Sequence, residues 1–359
     1  MSLQQSVRRR RLVGGLRWLA ESLATPLAPG DFWDLIDPLR PGAELRGRIL
    51  AIRAETPDAA TLEIQPGRDW LGHRPGQYVR LGVDVDGVRQ HRAYSITSPV
   101  GAPTLTITVK AIPDGAVSNH LVRHARVGEL VRLSQATGDF SLGDPTSGPV
   151  LFLTAGSGIT PILGMLRNHL DELTDAVLLH SAPRPLDVIA RDELEGYAAA
   201  GRLRLRWRHT ATEPMLQLSE LDALVPDWRD RRVLACGPIG LLDACEAHWA
   251  EHALRDRLHA ERFRPAPFAA IGAGGTVSFA ASGRSVAAEG SQPLLDAGEA
   301  AGIPMPSGCR MGICRGCLVP LRRGAVRDLR NGVLTTADED PIHIQTCVSA
   351  AAGDCELDH

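Results

Sequence analysis

The chain has 359 residues, 44% hydrophobic and 23% charged, values of an ordinary globular protein long enough for two or three domains that each bury a core. A formal net charge of −3 gives no global support to a nucleic-acid partner. No apolar run reaches the roughly 18 residues of a spanning helix, and seven cysteines leave no even disulfide framework, which fits a reducing cytosol.

Residues 1–40 stand apart as an N-terminal helical extension. Arg8 to Arg11 form a basic run, and Leu12, Leu16, Leu19 and Leu23 follow at helical spacing. One reading is a helix packed on the protein's own body. The other, suggested by the arginines and Trp18, is an amphipathic helix on a membrane surface or a partner. Arg17 and Glu21 interrupt any apolar signal segment, so a twin-arginine signal is rejected.

Residues 41–145 alternate in the β manner. Strands are expected at Arg48–Ile52, Ala60–Ile64, Tyr78–Val83, Val88–Ile96, Thr104–Lys110 and Leu130–Leu133, with Asp86-Gly87 as a hairpin turn. Six short antiparallel strands predict a small barrel. Residues 146–263 change to a βα alternation, with buried strands at Val150–Thr154, Ala176–His180, Leu203–Trp207 and Arg232–Ala235. This predicts a doubly wound parallel α/β sheet, with Thr160 as the N-cap of its first helix. Residues 264–274, rich in Pro, Ala and Gly, read as a linker. The last segment, 275–359, offers a hairpin at Thr276–Phe279 and Ser285–Ala288, a short helix capped by Ser291, and strands near Leu318 and Ile342.

Within that last segment Cys309, Cys314, Cys317 and Cys347 are spaced C-x4-C-x2-C…C, the ligand spacing of a plant-type [2Fe-2S] cluster. Gly308, Gly312 and Gly316 give the loop the freedom to bring backbone amides close to inorganic sulfur. A four-cysteine zinc site is the alternative, but such sites usually pair two C-x2-C knuckles and only one is present. Arg310, Arg315, Arg322 and Arg323 surround this loop and read either as solvated charge or as a docking surface for an acidic partner.

Arg92-Ala-Tyr94-Ser95 ends a barrel strand, preceded by Pro75-Gly-Gln-Tyr78 and followed by Gly115-Ala-Val-Ser118. In this combination the chain resembles the ferredoxin-NADP reductase superfamily, with a plant-type ferredoxin domain at the C-terminus. The resemblance covers roughly residues 41–359. It implies three parts: an antiparallel β-barrel flavin domain, an α/β nucleotide domain and an α+β ferredoxin-like (β-grasp) domain. It also implies that Arg92 pairs with flavin phosphate, Tyr94 packs on the isoalloxazine, Ser95 approaches its reactive edge, and Gly115 and Ser118 meet the pyrophosphate of FAD. The residue types agree, since a planar guanidinium suits phosphate and backbone amides in a tight turn suit anions.

Gly156-Ser-Gly158-Ile-Thr160-Pro161 follows a strand and opens a helix, a place for a dinucleotide pyrophosphate. Cys236-Gly237-Pro238 resembles the superfamily's nicotinamide-side motif, and Phe263 its flavin-stacking aromatic. For Cys236 the plain alternative is a small buried residue, and for Phe263 a linker anchor. Ser181 and Arg184, after the second strand, favour the 2′-phosphate of NADPH over NADH.

The implied function is an NAD(P)H-dependent flavin and iron–sulfur oxidoreductase. Electrons would pass from NADPH (or NADH) through FAD and the [2Fe-2S] cluster to a protein acceptor. Leu19–Leu27 and Gly302–Gly308 are similar to reductase partners of membrane fatty-acyl desaturases, so a desaturase is the first expectation for the acceptor. The alternative is an NADH-dependent reductase component of a ring-hydroxylating oxygenase or monooxygenase, and a redox sensor is a third class. The expected place is the cytoplasm, at the inner face of the membrane if the acceptor is membrane-bound.

Overall fold

The computed structural model describes residues 36–85, 87–113, 115–263, 274–308, 310, 312, 315–330, 332–338 and 340–359. Residues 1–35 of the expected N-terminal extension at 1–40, residues 264–273 of the expected linker at 264–274 and the turn residue Asp86 lie outside these residues, as do the ligand candidates Cys309 and Cys314.

The first unit is an antiparallel sheet of β1 (Arg46–Thr56), β2 (Ala59–Pro66), β3 (Tyr78–Val85), β4 (Val88–Ser95), β5 (Leu105–Lys110) and β6 (Leu130–Leu133). The strand order is β4-β3-β6-β1-β2-β5. Its two edges meet through a bridge between Ile96 and Ile107 and a bond from the Thr97 amide to the Thr106 carbonyl at 2.8 Å, so the sheet curls into a barrel. Ile49, Leu62, Val79, Leu81 and Ile107 are fully buried inside it. Each such side chain contributes about 1.5–3 kcal/mol on burial. A single helical turn, α1 (Ala116–Asn119), leans on the barrel.

The second unit alternates strand and helix: β7 (Val150–Ala155), α2 (Ile159–His169), β8 (Ala176–Ala182), α3 (Arg191–Ala199), β9 (Arg204–His209), β10 (Arg232–Cys236), α4 (Ile239–Glu251) and β11 (Leu258–Glu261). All neighbours pair in parallel in the order β11-β10-β7-β8-β9. Val150 to Leu153 are buried without alternation, because Phe152 faces the α2 side while Leu151 and Leu153 face Trp228 and Trp249 on the other. The chain winds outward in both directions from β7. The strand order therefore reverses between β7 and β10, where such sheets open a binding crevice.

Helix α2 also joins the barrel to the sheet. A Cβ on Gly164 would lie 2.4 Å from the Ile96 carbonyl, so only glycine allows this approach. Arg167 donates to the Thr97 carbonyl at 2.8 Å and forks onto Glu193 at 2.8 and 2.6 Å. Asn168 accepts from the Val100 amide at 2.7 Å.

The third unit is a mixed sheet with one helix: β12 (Gly275–Phe279), β13 (Arg284–Ala288), α5 (Leu294–Ala300), β14 (Leu318–Asp328), β15 (Leu334–Ala337), β16 (Ile342–Gln345) and β17 (Ser349–Leu357). The order is β13-β12-β17-β14-β15, with β16 on β14. Phe279, Leu294, Leu295, Leu321 and Leu357 fill its separate core.

Two caps differ from the sequence expectation. Gly158, not Thr160, caps α2, and Thr160 lies in its first turn with its hydroxyl donating to the Ser157 carbonyl at 3.0 Å. Pro293, not Ser291, precedes α5, because a proline supplies the extended φ at that boundary without a side-chain bond. Among the described residues no helix is long and apolar enough to cross a membrane.

Candidate functional site

The barrel places the R-x-Y-S residues at the end of β4, where Tyr78 pairs with Ser95, Val79 with Tyr94 and Leu81 with Arg92. Ser95 is buried, yet its Oγ has no hydrogen-bond partner among the described residues. A buried hydroxyl left unpaired costs about 1–3 kcal/mol, so such a group fits a site that a ligand completes. Tyr94 packs against the barrel core, and burial pushes its phenol well above the ordinary tyrosine range. The Arg92 guanidinium bonds the His91 carbonyl at 2.8 Å.

Gly115 and Ser118 form a tight turn into α1. The Ser118 hydroxyl donates to the Gly115 carbonyl at 3.1 Å and accepts from the Ile112 amide at 3.3 Å. A Cβ on Gly115 would stand 2.5 Å from that same hydroxyl, so the turn needs glycine. These residues suit a flavin dinucleotide: an unpaired hydroxyl, an aromatic face, a guanidinium and a narrow turn on one barrel.

The crevice at the strand reversal holds the second set. Gly156 takes φ +55° directly after β7, in the left-handed region. A Cβ on Gly158 would lie 2.1 Å from the Cys236 carbonyl, so the Gly156–Thr160 loop and the Cys236-Gly237-Pro238 loop are in backbone contact. Pro238 is the N-cap of α4, which leaves two helix N-termini, those of α2 and α4, at the crevice. Gly164, pressed on Ile96 just after Ser95, lies about 7.5 Å along the axis from the start of α2. The end of β4 and the Gly156–Thr160 loop are thus held by one helix.

Cys236 is fully buried, and burial followed by the nearby Glu261 raises its thiol, which therefore stays protonated. Glu261 pairs in register with Cys236 across β10 and β11. Its Oε2 is buried without a hydrogen-bond partner among the described residues, and burial pushes the carboxyl up to about 8. Sequence reading missed this residue. Glu261-Arg-Phe263 drew attention only for its aromatic, and a glutamate carries no sign of burial. Phe263 packs on the core that also contains Cys236 and Phe140.

Ser181 and Arg184 stand at and just beyond the end of β8. Arg184 is engaged by Asp187 through a fork of 2.9 and 3.0 Å, which holds the carboxyl below its ordinary range. Any phosphate that Arg184 receives must share it with that carboxylate.

In the third unit Cys317 and Cys347 are buried with their sulfurs 3.2 Å apart, too far for a disulfide bond of about 2.05 Å. The loop before Cys317 holds Arg310, Gly312 and Arg315 at φ +58°, +72° and +55°. Left-handed arginines cost of order 1–3 kcal/mol and persist where the surroundings fix the backbone, as ligation by several thiolates does. Arg330 ties this loop down by donating to the Gly312 carbonyl at 2.8 Å. Two thiols this close, one of them at the end of a strained loop, suit a metal cluster. The arginines are less available for docking than their sequence suggests. Arg310 pairs with Asp296 and Glu299, and Arg322 with Glu356 and Asp358.

Known proteins bear on all three units. Residues 279–352 match a 2Fe-2S iron-sulfur cluster binding domain, residues 53–142 an oxidoreductase FAD-binding domain, and residues 152–247 an oxidoreductase NAD-binding domain. A Mycobacterium tuberculosis protein named NADPH oxidoreductase is 48% identical over 351 residues, covering 96% of this chain and 92% of its own. A glycine betaine monooxygenase reductase subunit of Pseudomonas aeruginosa is 30% identical over 318 residues, covering 80% of this chain and 87% of its own. Phthalate dioxygenase reductase, a solved structure described as modular, superposes with a TM-score of 0.59 over 88% of this chain and 97% of its own. At 24% identity that likeness speaks for the fold.

Proposed function

The chain belongs to the family of oxidoreductases that join FAD-binding, NAD-binding and 2Fe-2S domains, and from that premise we propose that it is the NADPH-dependent reductase component of an oxygenase system. Its cofactors are FAD, a pyridine nucleotide and a [2Fe-2S] cluster. Together they convert the electron pair of a hydride into single electrons for a protein acceptor.

The chain's own residues divide the work. Arg92, Gly115 and Ser118 would hold the flavin's phosphates, Tyr94 its ring, and the Ser95 hydroxyl its reactive edge. Gly156, Gly158 and Thr160 would receive the nucleotide pyrophosphate, with Ser181 and Arg184 toward the 2′-phosphate. Cys236, Gly237 and Pro238 would bound the nicotinamide side, and Phe263 would close it. Cys309, Cys314, Cys317 and Cys347 would hold the cluster. Glu261 and Cys236, both protonated, add no charge beside the place where a hydride must move.

The observation that carries the oxygenase reading is the relative named as a monooxygenase reductase subunit, aligned along 80% of this chain. The comparisons lend no support to the fatty-acyl desaturase expected first from the sequence. The more similar relative is named for NADPH and not for any acceptor.

The test supplies NADPH, purified reductase and candidate acceptors separately: a terminal oxygenase component, and a membrane desaturase in vesicles. NADPH oxidation coupled to substrate hydroxylation supports the proposal. Coupling to the desaturase alone overturns it and restores the first expectation.

A further inference from the structure

We propose that His248, Glu251 and His252, at the C-terminal end of α4, form a binding site for one divalent transition-metal ion of the Zn²⁺ or Ni²⁺ class. The site is independent of the cofactor machinery. It lies roughly 15 Å along the helix from the N-terminus that faces the nucleotide crevice.

The three side chains lie at i, i+3 and i+4 and so share one helix face. One donor atom from each lies within 4.8 Å of the others. Donors on a common tetrahedral ion stand about 3.4 Å apart, so the three must close by at most about 1.4 Å. Two imidazoles and a carboxylate are an established zinc ligand set, completed by water. The spacing His248-Trp-Ala-Glu251-His252 also recurs in a class of zinc hydrolases. Here the inference is ion binding, with no hydrolytic step.

Two further features point to a ligand. The His248 Nε2 is buried and has no hydrogen-bond partner among the described residues. The His252 Nδ1 lies 2.9 Å from the His248 carbonyl. A proton on that nitrogen leaves the lone pair on Nε2, and a backbone carbonyl behind the imidazole is the usual arrangement around a metal-bound histidine. The two rings are 4.6 Å apart, centroid to centroid. Asp222 adds negative charge nearby. Arg229 opposes a cation, but it is paired with Asp222 and stacked 4.4 Å over the Trp228 ring.

The experiment is calorimetric titration of ZnCl₂ into the full chain loaded with FAD and cluster. One ion per chain is expected, with a dissociation constant on the order of micromolar. His252→Ala should weaken binding at least tenfold, and Glu251→Gln severalfold. His252 is at the helix end, so unchanged ferricyanide reduction by NADPH in His252→Ala certifies the fold. A second readout uses Trp228 and Trp249, whose rings stand 4.8 and 5.3 Å from the His248 ring. Ni²⁺ should quench tryptophan emission saturably in the native chain and not in His252→Ala. Absence of saturable binding below 100-fold ion excess overturns the proposal, as does equal affinity in His252→Ala.

Discussion

Glu261 and His180 give the nucleotide domain opposite responses to pH. Glu261 is raised from 4.5 to about 8 by burial. Across that window the unfolded chain releases a proton that the folded chain keeps, so stability falls as pH rises. His180 is pushed from 6.5 down to about 3, first by burial and then by His209, with its Nδ1 2.8 Å from the Thr154 hydroxyl. Between those values the unfolded chain binds the extra proton, so stability rises with pH. The two effects oppose each other from 4.5 to 6.5, and Glu261 acts alone from 6.5 to about 8. The unfolding free energy of the nucleotide-free protein should therefore drop over that upper range, by at most about 1.4 kcal/mol per pH unit, and the midpoint with it. Glu261→Gln should flatten the drop in calorimetric scans at several pH values, and an undiminished slope would remove the assignment. Arg184 makes the second prediction at this scale. Its fork onto Asp187 means the guanidinium is already oriented, but shared. Arg184→Ala should raise KM for NADPH about tenfold or more and leave KM for NADH within about threefold, as loss of a phosphate partner requires. Asp187→Asn should lower KM for NADPH. Equal effects on both nucleotides would withdraw the 2′-phosphate role.

Helix α2 is the element through which fold becomes site. It carries the Gly156–Thr160 loop at its start, Gly164 against Ile96 in its middle, and Arg167 and Asn168 on the barrel at its end. Arg167→Met removes one bond to the Thr97 carbonyl and the fork to Glu193, leaving that carboxylate without its cation. A loss of about 1–3 kcal/mol is expected from charged hydrogen bonds of this kind. Flavin reduction by NADPH, followed by stopped flow, should slow more than tenfold while nucleotide affinity changes little. An unchanged rate would mean that other contacts fix the two units. Sequence signalled this helix through the glycine-rich turn and Pro161, but not Gly164, because a lone glycine in a helix looks like a weak residue until its neighbour is known. The barrel strands were legible because Leu105, Ile107 and Val109 alternate strictly. β11 and β17 were not. Leu258–Glu261 is four residues with one large apolar side chain, and Ser349–Leu357 runs through Ala-Ala-Ala-Gly-Asp. Both are strands because of distant partners, β10 for one and β12 and β14 for the other. Pairing of that kind overrides local preference and leaves no periodic trace.

At the scale of the whole molecule the described residues form three units with two tasks. The barrel and the α/β sheet hold every residue proposed for hydride transfer, from Arg92 to Phe263. The third unit has a core of its own, built on Phe279, Leu294, Leu321 and Leu357, and holds the cysteines. Loss of a cluster ligand should then cut the chain of electron transfer at one point and leave everything before it intact. Cys314→Ser replaces one of the four thiols in the C-x4-C-x2-C…C set with a poor iron ligand. Two others of that set, Cys317 and Cys347, stand 3.2 Å apart in this structure. The variant should lose the low-temperature EPR signal of a reduced [2Fe-2S] cluster and all transfer to the oxygenase component. NADPH should still bleach the flavin, and ferricyanide, which can draw on flavin directly, should be reduced within about twofold of the native rate, because none of the groups around Ser95, Gly158 and Cys236 has been touched. Loss of flavin bleaching as well would mean that the third unit supports the other two, and the division of labour drawn from their separate cores would fail. Retention of the EPR signal with altered shape would instead move the ligand role from Cys314 to another side chain, with Cys355, buried on β17 in the same core, the first to substitute next.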